Sequence, residues 1–339
     1  MTALGQAALL PELAGPIDAR TFAEVRAAGK PVVLRGQVAD WPLVAAARQG
    51  DADVVSYLRP PSATRSIGAI AAAPEERGRF FYNSDVTGFN FHFGRGELSV
   101  FLTDLLRGAV SPEAPGMAMQ SEDLTDLLPH VAAENRLALL HGVPPRIWIG
   151  NRIRVAPHYD LKENVACCVA GRRRFTVFPP DQTQNLYPGP LELTPAGAPV
   201  SMVDLQAPDL EAYPRFAKAW ETARSAVLEP GDAIYLPYCW WHGVDSLEAV
   251  SILVNYWWNE LPPEGIGGAH DAMLHALLAL RHLPDEQRAV WRDKFDYYVF
   301  QSNGIDPAIH LPEHARGVLG AASPGLFDRM RTMLRAALN

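Results

Sequence analysis

Arg146–Ile149, Asn164-Val165-Ala166-Cys167-Cys168-Val169-Ala170, Arg173-Arg174-Phe175-Thr176-Val177-Phe178, Ala226–Leu228, Ala233-Ile234-Tyr235-Leu236 and Val250–Trp257 follow one another between Arg146 and about Trp258, separated by proline and glycine. Short β-rich runs punctuated in this way predict an all-β barrel or sandwich. Within the stretch lie His158-Tyr159-Asp160 and, far downstream, Gly231-Asp232-Ala233-Ile234-Tyr235-Leu236-Pro237-Tyr238-Cys239-Trp240-Trp241-His242. In an extended segment residues two apart point the same way, so His158 and Asp160 can reach one ion. His242 follows a turn, a strand and a Pro-Tyr loop, which predicts a place at a barrel mouth. Two imidazoles and one carboxylate leave open positions on a ferrous ion for oxygen chemistry. A lone His158 would read as an ordinary surface or core histidine; the metal reading requires the three to converge.

Outward from this stretch the texture changes. Upstream, residues 1–145 read as α/β elements flanking the barrel. A short helix over residues 19–28 precedes a strand, Pro31-Val32-Val33-Leu34-Arg35-Gly36. A turn at Asp40-Trp41-Pro42 leads into two helical pieces ending near Tyr57. Phe80-Phe81-Tyr82 reads as a strand, and Leu98, Phe101, Leu102, Leu105 and Leu106 place an amphipathic helix over Glu97–Arg107. The barrel itself is expected over residues 146–262. Past Pro262-Pro263, residues 263–339 turn helical, with Met273, Leu274, Leu277 and Leu278, then Val290, Trp291, Phe295, Tyr298 and Val299, at helical spacing. A last helix is expected over Pro324–Ala337. Such apolar faces must be buried, either on the chain's own barrel or in a helical homodimer.

Composition narrows the function classes. A net charge of −8 and a pI near 5.7 lack the basic footprint of a nucleic-acid binder. The one basic cluster, Arg172-Arg173-Arg174, is too small to supply it. Three cysteines, Cys167, Cys168 and Cys239, do not make a disulfide framework and suit a reducing compartment. No apolar stretch is long enough to span a bilayer. The expectation is a soluble, cytoplasmic protein with no membrane partner.

The order of motifs carries more. Pro157-His158-Tyr159-Asp160, Asn164, Gly171 through Pro180, Trp240-Trp241-His242 and Asn255-Tyr256-Trp257 occur in sequence. Phe178-Pro179-Pro180-Asp181-Gln182 with Leu186-Tyr187-Pro188, and the upstream Pro31–Gly36 with Asp40-Trp41-Pro42, add to them. Together they resemble the cupin-like JmjC family of Fe(II)- and 2-oxoglutarate-dependent oxygenases, over roughly residues 20–262. The resemblance implies a double-stranded β-helix of the cupin, or jelly-roll, type. It also implies Fe(II) on His158, Asp160 and His242, with 2-oxoglutarate as cosubstrate. Arg173 takes the family position of a lysine that anchors the distal carboxylate. Asn164 and Asn255 match positions that hydrogen-bond near the cosubstrate, and Trp257 matches a pocket wall.

Side-chain parity supports Arg173. It shares a face with Phe175 and Val177, while Arg172 and Arg174 share the other with Thr176. The apolar face is expected to be interior, and a guanidinium there requires an anionic partner; a structural ion pair would satisfy it as well as a ligand. Core asparagines satisfied by backbone are the alternative for Asn164 and Asn255. The chain departs from the family where a threonine and a tyrosine hydroxyl help hold the distal carboxylate: Val155 and Ala118 stand there, with Tyr82 as a candidate substitute. Tyr82, Asp85, Gln120 and Trp241 are candidates for the entrance. The resulting expectation is a dioxygenase hydroxylating an unactivated C–H bond on a peptidyl side chain. The alternatives are a small-molecule hydroxylase and a degenerate cupin that binds metal or ligand as an interaction module.

Overall fold

The structure, a computed structural model, describes residues 4–59, 65–111, 113–259 and 268–338. Contacts divide it into two compact units, Met1–Asn259 and Glu260–Asn339. The boundary expected at 262/263 lies outside the described residues.

Unit one is built on two sheets. Six strands form the first, in the order Ala8–Leu9, Arg224–Leu228, Arg173–Phe178, Trp241–Ser246, Arg154–Tyr159 and Arg79–Phe80. Nine form the second: Glu12–Ala14, Val32–Arg35, Ala233–Leu236, Glu163–Ala170, Ser251–Trp258, Pro145–Gly150, Gly116–Asp123, Ser66–Ala72 and Phe91–Glu97. Pairing among the barrel strands is antiparallel, and each β-rich run of the sequence contributes a strand. The cupin-type jelly roll expected from the motifs is the observed architecture.

Alternation along the strands divides the core into two layers. Val165, Cys167 and Val169 face outward, beneath Phe22, Leu43, Val44, Val54, Val55 and Leu58 of the helices Ala19–Ala28, Pro42–Gln49 and Asp51–Leu58. Ala166 and Cys168 face inward, with Phe175, Val177, Ile234, Leu236 and Leu253. The strand Glu163–Ala170 is covered on both sides, which explains why it reads as a continuous apolar run. Cys167 and Cys168 are both free and buried, as small core residues should be.

The N-terminal helix runs over Ala19–Ala28, where the sequence places it; Asp18 caps it by accepting from the Thr21 N–H, and Gly29, at φ 59°, ends it in the left-handed region. The three strands Ser66–Ala72, Phe91–Glu97 and Gly116–Asp123 are additions to the expected set and widen the larger sheet. Phe80-Phe81-Tyr82 is a strand only at Arg79–Phe80, with Tyr82 in an isolated bridge to Phe89. In unit two, helices span Ala269–Leu280, Asp285–Phe295 and Pro324–Leu338. No described helix is long and apolar enough to cross a membrane.

Leu34 is fully buried at the junction of helices and sheet. Leu34→Ala should cost about 2–5 kcal/mol in urea denaturation, whereas Val110→Ala, 88% exposed, should stay within about 0.5 kcal/mol.

Candidate metal centre and active site

The strand Arg154–Tyr159 pairs with Trp241–Ser246 so that His158 stands directly across from His242. Their ring centroids lie 4.4 Å apart. Asp160 follows at the strand's end, and its Oδ2 is 3.7 Å from His242 Nε2. One ligand atom from each of the three falls within 4.8 Å of the others.

The surroundings fix each ligand's state. His158 Nδ1 lies 3.0 Å from the Ala156 carbonyl oxygen, and His242 Nδ1 lies 3.0 Å from that of Trp240. A carbonyl can only accept, so the proton of each neutral ring sits on Nδ1 and Nε2 keeps its lone pair. Burial, with His242 beside it, holds the His158 imidazole down to about 4, so it is neutral at pH 7 as a ligand must be. Asp160 Oδ2 accepts from Trp257 Nε1 at 2.9 Å and from Asn164 Nδ2 at 3.3 Å. Outer hydrogen bonds of this kind orient metal ligands. Two imidazoles and one oriented carboxylate suit a divalent ion of the first transition row.

All seven residues singled out from the sequence (His158, Asp160, Asn164, Arg173, His242, Asn255 and Trp257) line one cavity of about 510 Å³ between the sheets. That volume suits a small-molecule ligand. Arg173 is 5% exposed, on the same strand face as Phe175 and Val177, while Arg172 and Arg174 are turned to solvent. Its Nε donates to Ser251 Oγ at 2.9 Å, and among the described residues no carboxylate pairs with it. Burial pulls the guanidinium down to about 10, still well above neutrality. Cys168, the titratable group felt by the Arg173 guanidinium, is a neutral thiol, pushed up by burial to about 12. An uncompensated buried cation costs several kcal/mol. The structural ion pair is therefore absent, and the cavity carries an unspent positive charge.

A model of the cupin-like domain matches residues 18–264. This chain belongs to the cupin-like domain family, in its JmjC-type branch. HSPB1-associated protein 1 of Homo sapiens is 31% identical over 217 residues, covering 62% of this chain and 41% of its own. Lysine-specific demethylase JMJ31 of Arabidopsis thaliana is 36% identical over 113 residues, 33% of this chain and 20% of its own. tRNA wybutosine-synthesizing protein 5 of Danio rerio is 35% identical over 107 residues, 32% of this chain and 30% of its own. The chain thus spans less than half the length of these relatives. Among solved structures, the X-ray structure of E. coli ycfD aligns with 96% of this chain and 68% of its own at 14% identity and a TM-score of 0.44, a likeness too slight to argue from. JmjC-type proteins are generally Fe(II)/2-oxoglutarate oxygenases, so membership supports an oxygenase-type enzyme.

The cupin-like domain departs from the sequence expectations at the entrance. Gln120 lines the cavity, but Trp241 does not. Neighbours on a strand point to opposite faces, so with His242 inward Trp241 turns outward, buried against Phe178 and Phe216, its Nε1 donating to Thr183 Oγ1. Tyr82 also stands off the cavity; its hydroxyl donates to the Leu193 carbonyl, so it does not replace the missing tyrosine. Asp85 is in an exposed turn, bonded to Thr87. Val155 and Ala118 both line the cavity. The sequence reading missed Trp148, which lines it too and donates to Asn255.

Replacing His242 or Asp160 by alanine should weaken Mn(II) binding, measured by electron paramagnetic resonance, by at least about 100-fold, beyond the 10–100-fold usual for outer-shell changes. His92→Ala, on the exposed strand Phe91–Glu97, should leave it unchanged.

Proposed function

We propose that the chain is an Fe(II)- and 2-oxoglutarate-dependent dioxygenase that hydroxylates an unactivated C–H bond of a peptidyl side chain. One observation carries the reading: two imidazoles and a carboxylate share a cavity with a buried guanidinium that pairs with no carboxylate among the described residues. His158, Asp160 and His242 would hold the iron, and Arg173 would take the distal carboxylate of 2-oxoglutarate. When bound, metal and cosubstrate supply the oxidising power and the protein supplies binding and orientation.

The chain's own residues account for the rest. Ser251 occupies Arg173 Nε, which leaves the terminal nitrogens of the guanidinium for a two-point grip on a carboxylate. Ser246 stands directly across the ladder from Arg173, and its buried hydroxyl has no hydrogen-bond partner. One hydroxyl on the cation thus comes from Ser251, while Val155 and Ala118 stand where the family has a threonine and a tyrosine. Phe175, Val244 and Leu253 make the adjoining wall apolar, which keeps water from competing for the charge.

The mouth supports a peptidyl substrate. Phe91–Glu97 ends the nine-stranded sheet, is exposed from His92 onward, and places Phe93 on the cavity rim. A free strand edge is a surface on which an extended peptide can pair. Gln120 and Ser121, on Gly116–Asp123 two strands in from that edge, line the same cavity with polar groups.

Anaerobically prepared protein given Fe(II), 2-oxoglutarate and air should form succinate, detected by mass spectrometry. Arg173→Met should raise the dissociation constant for 2-oxoglutarate by about 10- to 150-fold, the loss of a charge-assisted contact of roughly 1.5–3 kcal/mol. Arg173→Lys, which has no Nε to meet Ser251, should fall between. Wild-type protein that neither binds nor consumes 2-oxoglutarate would end this assignment.

A further inference from the structure

Five side chains close a ring behind the metal ligands. Trp148 Nε1 donates to Asn255 Oδ1 at 2.8 Å, and Asn255 Nδ2 donates to Asn164 Oδ1 at 3.2 Å. Asn164 Nδ2 and Trp257 Nε1 then both donate to Asp160 Oδ2. The two indoles meet edge to face, with centroids 5.8 Å apart and planes at 83°, which completes the circuit. Asn255 is 1% exposed and Asn164 5%, so neither amide has bulk water as a ready substitute partner.

We propose that Trp148 is a positioning residue for the metal-binding carboxylate, acting through the two asparagines. An amide can turn over and exchange its donor for its acceptor, so a chain of two amides has no direction of its own. An indole N–H can only donate. Trp148 therefore requires an oxygen from Asn255, which turns the Asn255 nitrogen to Asn164. That in turn demands the Asn164 oxygen and leaves the Asn164 nitrogen for Asp160. The donor at the far end makes the chain finish in an N–H on the carboxylate. Without the indole N–H only the carboxylate, which can only accept, still sets the direction, and the inverted chain, which presents an oxygen lone pair to Asp160, is no longer opposed from the far end. Trp257 supplies its bond from the other side and does not depend on this direction. Asn164 and Asn255 each keep one N–H unspent, so the role is compatible with contact to a bound ligand.

The proposal rests on the metal site described above, and the test separates the two. Trp148→Phe keeps an aromatic ring for the edge-to-face contact and deletes the N–H donor together with the five-membered half of the indole. In the full-length protein it should raise the Mn(II) dissociation constant by about 10-fold, the lower end of outer-shell effects. It should also change the visible d–d absorption of the Co(II)-substituted protein, which reports ligand geometry. Trp257→Phe, which deletes a direct bond to Asp160, should do both more strongly. Circular dichroism and thermal midpoint serve as the fold control, since a merely structural Trp148 would shift the midpoint and leave the Co(II) spectrum alone. Trp148→Phe protein with wild-type Mn(II) affinity and an unchanged Co(II) spectrum overturns the positioning role while the metal site stands. Wild-type protein that binds neither ion overturns both.

Discussion

The register between Arg154–Tyr159 and Trp241–Ser246 is the constraint on which the site depends. It sets His158 opposite His242 and sends both inward. Because side chains alternate along a strand, a slip of either strand by one residue would turn its own imidazole out of the cavity and bring Tyr159 or Trp241 in its place. Trp241 and Tyr159 resist that slip from the outer face, packing edge to face at 4.8 Å in a cluster with Phe178 and Phe216. Trp241, which looks like an entrance residue in the sequence, is thus part of the anchor that keeps the ligands pointed in.

The same alternation builds the electrostatics. The interior face of the sheets is apolar at Ala166, Phe175 and Leu253, and the polar groups set into it are handled in two different ways. At the metal end each side chain is held by a partner: backbone carbonyls for the imidazoles, N–H donors for the carboxylate, a closed amide and indole circuit behind it. At the other end Arg173 has one serine and Ser246 has nothing. A fully satisfied network rigidifies, and a buried cation left without an anion is costly until one meets it. Order around the three ligands and unspent charge in the same cavity are what the proposed chelating anion requires.

Much of this is legible in the sequence, because it follows from periodicity. The inward turn of Arg173 follows from the apolar Phe175 and Val177 on its face, and the helix at Ala19–Ala28 from its cap and glycine stop. The strands Ser66–Ala72 and Phe91–Glu97 are not legible, because alanine and glycine replace the β-branched residues that mark a strand, and pairing across the sheet overrides local preference. Trp241 misleads by adjacency to a ligand, an error that strand parity would have caught. Trp148 carries no local signal at all: its partner Asn255 is 107 residues away, and only the fold joins them.

The most direct test of the account is anomalous diffraction from crystals grown anaerobically with Mn(II) and 2-oxoglutarate. The account predicts a single strong anomalous peak within coordination distance of His158, Asp160 and His242, with the distal carboxylate of 2-oxoglutarate on Arg173. Manganese bound elsewhere, or a dicarboxylate lying away from Arg173, would contradict it.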